Sequence, residues 1–180
     1  MKNFNSKLIA DMLKSVPDNC NFCGIFQTIG CIGDSLLSGA FEIFDKNGEK
    51  QYIDCPQYSW GKYIEKALGN KVHIFAKGGM TARDYRESFA ETNGFWDKDK
   101  SCQAYIIALG INDLFYRKHP LGTVKDIDIN DYNNNALTIT GCYAYIIQRY
   151  KEIQPDAKFF IMTLPKNRDN ENPERSKMKD

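Results

Sequence analysis

Histidine is nearly absent from this 180-residue chain, which has only His73 and His119, both before position 120. A site that uses an imidazole as a base or as a metal ligand therefore has very few candidates in this sequence.

An excess of charge is also lacking, since 24 basic side chains face 23 acidic ones and the formal net charge is +1. Such a balance excludes sequence-independent binding to nucleic acid and a polybasic membrane-surface segment. No stretch reaches the roughly 18 apolar residues that a membrane-spanning helix needs. The N-terminus lacks the continuous apolar segment of a signal peptide, so we expect a cytoplasmic protein unless a leader has been removed.

Cysteine is present but shows no metal-binding pattern. Cys20 and Cys23 form a Cys-x-x-Cys pair, yet no second Cys or His pair follows at zinc spacing. Cys31, Cys102 and Cys142 lie inside apolar runs, where a thiol behaves as a small hydrophobic side chain. We therefore predict reduced, structural cysteines and no metal site.

Short apolar runs alternate with helical patterns along the chain. The runs cover residues 26–32, 72–76, 104–109 and 158–164, and the helical patterns cover 58–68, 81–90 and 131–153. Three of the runs are continuously apolar, which is typical of strands buried on both faces of a parallel sheet. The order predicts a doubly wound α/β sandwich over residues 26–180, preceded by an N-terminal extension over residues 1–25.

The loop after the first run reads Gly33-Asp34-Ser35-Leu36. Ligands of open α/β sheets bind outside the carboxyl ends of the strands, so this loop is a place for chemistry. Ser35 at a strand-to-helix turn suits a nucleophile, because nearby backbone N–H groups can stabilise an oxyanion. The alternative interpretation is that Ser35 or Asp34 only caps the helix.

Two further loops carry hydrogen-bond donors. Gly78-Gly79-Met80-Thr81 follows the second run, and the N–H of Gly79 has no side chain over it, although a turn requiring positive φ explains this glycine equally well. Gly110-Ile111-Asn112-Asp113 follows the third run, and the Asn112 amide is a donor that keeps its proton throughout a reaction. An Asx-turn is the alternative role of Asn112, and Asp113 could pin the loop or cap the next turn.

Taken together, the three loops resemble the conserved blocks of the SGNH hydrolases, also called the GDSL esterase/lipase family, over residues 26–165. The resemblance implies a three-layer α/β/α sandwich with a flavodoxin-like parallel sheet. It implies Ser35 as nucleophile, Gly79 as one oxyanion donor (with Gly78 as the alternative register) and Asn112 as the other. It implies a serine esterase without metal or organic cofactor, acting on a small-molecule or carbohydrate ester with a short acyl group, acetyl on carbohydrate being the preferred example.

One block of the family is missing, because no Asp in this chain has a His three residues later. His73 falls in a predicted strand and reads as a sheet residue, whereas His119 is expected on a loop. To replace the family's base, His119 would need to lie roughly 2.6–3.2 Å from Ser35, and a surface histidine before Pro120 is the favoured interpretation. Residues 172–180 read as the start of a helix, so we expect an incomplete domain that lacks its last helix and strand.

Other functions stay open on the sequence. A non-catalytic binding module of the same fold, or an inactive fragment without the catalytic histidine, would retain all three loops. A flavodoxin-like nucleotide binder is less well supported, since the chain has neither Gly-x-x-x-x-Gly-Lys-Ser/Thr nor Gly-x-Gly-x-x-Gly.

Overall fold

The computed structural model describes residues 22–163 of the chain. Cys20, the end of the fourth predicted strand at Leu164 and the predicted helix start at 172–180 lie outside the described residues. The described strands are, in chain order, β1 Thr28–Gly33, β2 Ala40–Phe44, β3 Lys50–Asp54, β4 Lys71–Ala76, β5 Ala104–Ala108 and β6 Lys158–Ile161. The described α-helices are α1 Ser35–Ser38, α2 Trp60–Leu68, α3 Ala82–Asp84, α4 Ala90–Thr92 and α5 Ile139–Ile153.

Four strands form the predicted parallel sheet, in the order β4-β1-β5-β6. The register places Gly33 opposite both Ala76 and Ala108, so β1, β4 and β5 end level with one another. Because parallel strands of equal register present their carboxyl ends at one edge, the three glycine-bearing loops leave the sheet side by side.

The sheet is covered on both faces, which explains its continuous apolar runs. Side chains of β1 and β5 such as Ile32 and Ile107 pack with residues of α3, α4 and α5 in one buried cluster. Ile29 and Cys31 join a second cluster with Leu37 of α1, and Trp60 and Ile64 of α2 pack against it. The architecture is therefore the predicted α/β/α sandwich.

All three predicted helices have different bounds in the structure, and the one predicted over 58–68 begins at Trp60, after the N-cap Ser59. The pattern over 81–90 forms α3 and α4 with a π-helical turn, Tyr85–Phe89, between them, and Thr81 caps it as expected. The helix predicted over 131–153 begins only at Ile139, after the N-cap Thr138. The preceding residues include the 3-10 turn Tyr132–Asn134, where Asp131 accepts the N–H of Asn133. Asx side chains that bind nearby backbone N–H groups compete with helix formation, which accounts for the late start.

A β-hairpin formed by β2 and β3 was not predicted. Its strands pair antiparallel from Ala40–Asp54 to Phe44–Lys50, and all but Ala40 of their residues are exposed. The turn is closed by Asp45, whose carboxylate accepts the N–H groups of Asn47 and Glu49. An exposed two-stranded ribbon has no buried face, so the sequence carries no simple alternation that would reveal it.

Gly33 is needed because β1 and α1 approach closely. A Cβ built on Gly33 would lie 2.8 Å from the Leu37 Cβ and 3.2 Å from the Ala108 carbonyl oxygen. We expect Gly33→Ala to lower the free energy of unfolding by about 1–3 kcal/mol, since neither neighbour can move without shifting backbone. Urea denaturation measures the change, and a variant as stable as the unmodified chain would contradict the close approach.

Candidate active site

Ser35 is the first residue of α1, directly after the end of β1. Asp34 is the N-cap of this helix, and its Oδ1 accepts the Leu36 N–H at 3.1 Å. The capping role thus belongs to Asp34, and within residues 22–163 no hydrogen bond engages the Ser35 hydroxyl. Ser35 is half-buried at the start of a helix, where its side chain is available for chemistry.

Gly79 lies in the loop after β4 with a φ of +75°. The alternative interpretation of Gly79, a turn that requires positive φ, is therefore confirmed, because this region of φ favours glycine. Gly79 is exposed, and across the described residues its N–H forms no hydrogen bond. The Gly78 N–H, in contrast, donates to Asp54 Oδ2 at 3.1 Å.

Asn112 links the other two loops. Its Nδ2 donates to the Met80 carbonyl oxygen at 3.0 Å and lies 3.5 Å from Asp34 Oδ2. The side chain therefore does not form the local Asx-turn considered above, and it joins the serine loop to the glycine loop. An amide nitrogen has two hydrogens, and the longer of its two bonds, the 3.5 Å contact with Asp34 Oδ2, is the one that an incoming group would replace.

Two of these loops contain a buried carboxylate, Asp34 next to Ser35 and Asp113 next to Asn112. Asp113 is fully buried and accepts the Ala82 N–H, with its Oδ2 at 3.0 Å. Asp34 is also buried, and this desolvation raises the pKa of its carboxyl; the Leu36 N–H lowers the pKa, and the negative charge of Asp113 raises it further. The site is thus already rich in negative charge.

Stability should depend on the protonation of Asp34. A carboxyl whose pKa is raised in the folded state stabilises the fold below its unfolded pKa, here 3.8, and this contribution is lost as the pH rises through the folded pKa. Asn is an equally good N-cap, so Asp34→Asn retains the capping bond without the charge. We expect the unfolding free energy of the unmodified chain to fall relative to that of Asp34→Asn between pH 4 and neutrality. Urea denaturation across this range provides the measurement, and parallel profiles would show that burial of Asp34 carries no such penalty.

The two histidines occupy different environments. His73 lies in β4 opposite Gly30, which confirms it as a sheet residue, and burial followed by the charges of Lys71 and Lys62 lowers its pKa. His119 was expected at the surface, but its side chain is only 19% exposed and its Nδ1 lies 3.2 Å from Asp113 Oδ1. The fully buried carboxylate of Asp113 holds the ring in this half-buried position.

A largely apolar cavity adjoins the serine loop. Its volume is about 320 Å³, and it is lined by Leu36, Leu37, Trp60, Ala108, Leu109, Ile111 and Met162, with Asp34 and Thr163 as its polar members. The residues on either side of Ser35 and the residue before Asn112 thus contribute to its wall.

Sequence reasoning missed Asp54, the last residue of β3. Its carboxylate accepts the Ser38 hydroxyl at 2.5 Å and the Gly78 N–H at 3.1 Å, so it connects α1 with the glycine loop. Tyr143 of α5 was also missed; its hydroxyl donates to the Leu109 carbonyl at 2.9 Å and accepts the Leu109 N–H at 3.2 Å. Neither contact has a sequence signal, since each depends on chain segments far apart in the sequence.

The fold is that of the SGNH hydrolases. A protein described as a GDSL-like lipase from Bacteroides uniformis superposes with a TM-score of 0.53 at 11% identity, over 79% of this chain and 73% of that chain. A carbohydrate esterase family 2 enzyme with a carbohydrate-binding domain from Corynascus thermopiles superposes with a TM-score of 0.52 at 20% identity, over 85% of this chain and 49% of that chain.

A third solved structure is a family two carbohydrate esterase from Clostridium thermocellum in complex with cellohexaose. It gives a TM-score of 0.51 at 17% identity, over 79% of this chain and 45% of that chain. This chain therefore spans about half the length of either esterase. No protein-family model matches the chain, and no curated protein matches it. Among the described helices, none is long and apolar enough to cross a membrane.

Proposed function

We propose that this chain is a serine esterase of the SGNH type with Ser35 as its nucleophile. The observation that carries the proposal is the level end of β1, β4 and β5, which puts Ser35, Gly79 and Asn112 on three adjacent loops at one edge of the sheet. A nucleophile at a helix start with two further donors beside it is an arrangement suited to acyl transfer.

In the proposed reaction, the Ser35 oxygen attacks the ester carbonyl and its proton passes to water, which later returns a proton to the departing alcohol. The negative charge that develops on the carbonyl oxygen is stabilised by the Ser35 N–H, the Gly79 N–H and the Asn112 amide. Collapse of the tetrahedral intermediate breaks the ester bond and releases the alcohol, which takes up a proton. Water then attacks the acyl group on Ser35, giving the free acid and restoring the hydroxyl.

Gly79, rather than Gly78, is the proposed backbone donor. The Gly78 N–H is already donated to Asp54, while the Gly79 N–H forms no hydrogen bond within residues 22–163. A backbone N–H has a single hydrogen, so one that is already donated to a carboxylate stabilises an oxyanion less well than one that is free.

We further propose an ester with a short acyl group, with acetylated carbohydrate as the preferred class. The apolar cavity beside Leu36 supports an acyl group on one side of the site. Carbohydrate as the alcohol part of the ester is supported by the two carbohydrate esterases of the same fold.

No Asp-x-x-His motif occurs in the sequence, so the general base of the family has no counterpart at a matching position. Hydrolases without a triad member still keep a rate enhancement on the order of 10³–10⁴ over water, from binding and the oxyanion site. We therefore expect slow but measurable turnover of activated esters by this chain.

A fluorophosphonate probe and a set of p-nitrophenyl esters test the proposal. We expect the probe to modify Ser35, identified by peptide mass spectrometry, and acetate to be hydrolysed faster than octanoate. A folded chain that is not labelled and does not hydrolyse any of the esters would instead support a non-catalytic binding module. A preference for octanoate would retain the esterase and overturn the short-acyl proposal.

A further inference from the structure

The two proposed oxyanion donors outside α1 belong to loops that follow different strands, and their relative position depends on contacts between the loops. Asp113 provides the most buried of these contacts, since both its carboxylate and the Ala82 N–H that it accepts are fully buried. Asn112 precedes Asp113 in the sequence, and Ala82 follows Gly79 by three residues. The Asp113–Ala82 bond therefore bears directly on the distance between the donors.

A buried carboxylate requires more than one hydrogen-bond donor to offset the loss of solvation. The negative charge of nearby Asp34 increases this requirement. Beyond the Ala82 N–H, the donor that the described residues supply to the Asp113 carboxylate is the His119 ring, whose Nδ1 lies 3.2 Å from Oδ1. The Nδ1–H group can donate in one neutral tautomer and in the imidazolium form.

The backbone around His119 also contacts Asp113. Lys118 has a φ of +56°, the only positive value for a non-glycine residue in the described part of the chain. The turn at Lys118 brings the His119 N–H to 2.9 Å from the Asp113 carbonyl oxygen, in addition to the contact made by the ring. A left-handed residue just after a helical turn, here Asn112–Tyr116, with the next N–H bonded back to that turn, is a common helix C-cap, and it places His119 beside Asp113.

We propose that His119 is a positioning residue that holds the Asp113 carboxylate on the Ala82 N–H and thereby aligns the Asn112 and Gly79 donors. Its role is carried by Nδ1, which lies against Asp113 Oδ1, and within residues 22–163 no hydrogen bond joins its ring to the Ser35 hydroxyl. The catalytic consequence rests on the esterase proposed above, while the contact itself can be measured without any turnover.

His119→Asn and His119→Leu form a matched pair for the test. Both side chains branch at Cγ, as the imidazole does, but only Asn places an N–H donor where Nδ1 stands, and neither retains Nε2. We expect the Asn variant to keep the hydrogen-exchange rate of the Ala82 amide and the kcat for p-nitrophenyl acetate close to those of the unmodified chain. We expect the Leu variant to exchange the Ala82 amide about tenfold faster and to lose about 10- to 100-fold in kcat, with little change in KM.

Lys118→Gly is the control, because glycine adopts positive φ freely and leaves the His119 ring in place; it should match the unmodified chain in both readouts. An Ala82 amide that exchanges equally in the Asn and Leu variants would overturn the inference, even if the unmodified chain shows no esterase activity. Equal loss of kcat in both variants with an unchanged Ala82 amide would also overturn it and would point to Nε2 as the base. Absence of both Ser35 labelling and turnover, with the Ala82 amide responding as expected, would count against the esterase alone.

Discussion

Ser35→Ala is expected to lower hydrolysis of p-nitrophenyl acetate to the residual rate that binding and the oxyanion donors support without a nucleophile, and to abolish labelling by the fluorophosphonate. The reason is chemical, since alanine cannot form the acyl-enzyme on which the proposed reaction depends. The fold should be retained, because Asp34 rather than Ser35 supplies the capping bond of α1 and alanine is a good helix former. Initial rates measure the loss of hydrolysis. Intact-mass analysis after fluorophosphonate treatment measures the loss of labelling.

Ser88→Ala is the matched control for this experiment. Ser88 is an exposed serine in the π-helical turn between α3 and α4, where its hydroxyl donates to the Asp84 carbonyl. Its removal should leave both the rate and the labelling of Ser35 unchanged. Turnover that survives in Ser35→Ala at the level of the unmodified chain would remove Ser35 as the nucleophile.

Asn112→Ala is expected to lower kcat by about 10²–10³, the usual cost of removing one oxyanion donor. KM should change little, because the amide stabilises charge that develops only in the transition state. The variant also loses the bond from Asn112 to the Met80 carbonyl, so part of the effect is expected to arise from a less well held glycine loop. Steady-state kinetics with p-nitrophenyl acetate separate kcat from KM.

Asn112→Asp keeps the shape of the side chain and removes its donor. It also adds a carboxylate near Asp34 and Asp113, both already buried, so we expect a loss of kcat at least as large as in the alanine variant together with a lower melting temperature. An aspartate variant with unchanged kcat would rule out the amide as an oxyanion donor.

Much of the sheet is predictable because its residues are buried on both faces. Continuous apolar runs such as Ala104–Ala108 are compatible with only a few folds, and the glycines that end them mark the loops. The order of runs and helical patterns then leads to a parallel sheet with its loops at one edge. The helix over 131–153 was predicted too long because apolar periodicity does not register the Asx turns that precede Thr138.

The contacts among the site loops could not be predicted from the sequence. Asn112 bonds to Met80, 32 positions away, and Asp54 bonds to Gly78 from a hairpin that has no buried face to reveal it. Each of these bonds depends on where two separate segments meet, and hydrogen bonds between distant polar groups leave no periodic pattern in a sequence.

His119 shows most clearly which features follow from the sequence and which follow only from the tertiary structure. The sequence determined that the chain has just two histidines and no Asp-x-x-His, and its apolar runs placed Ser35, Gly79 and Asn112 after three strands, because burial on both faces imposes a recognisable composition. Only the tertiary structure decided that the His119 ring lies against the fully buried Asp113, itself bonded to the Ala82 N–H. The physical reason is that a buried carboxylate is satisfied by whichever donors the packed chain brings to it, and those donors are set by three-dimensional proximity.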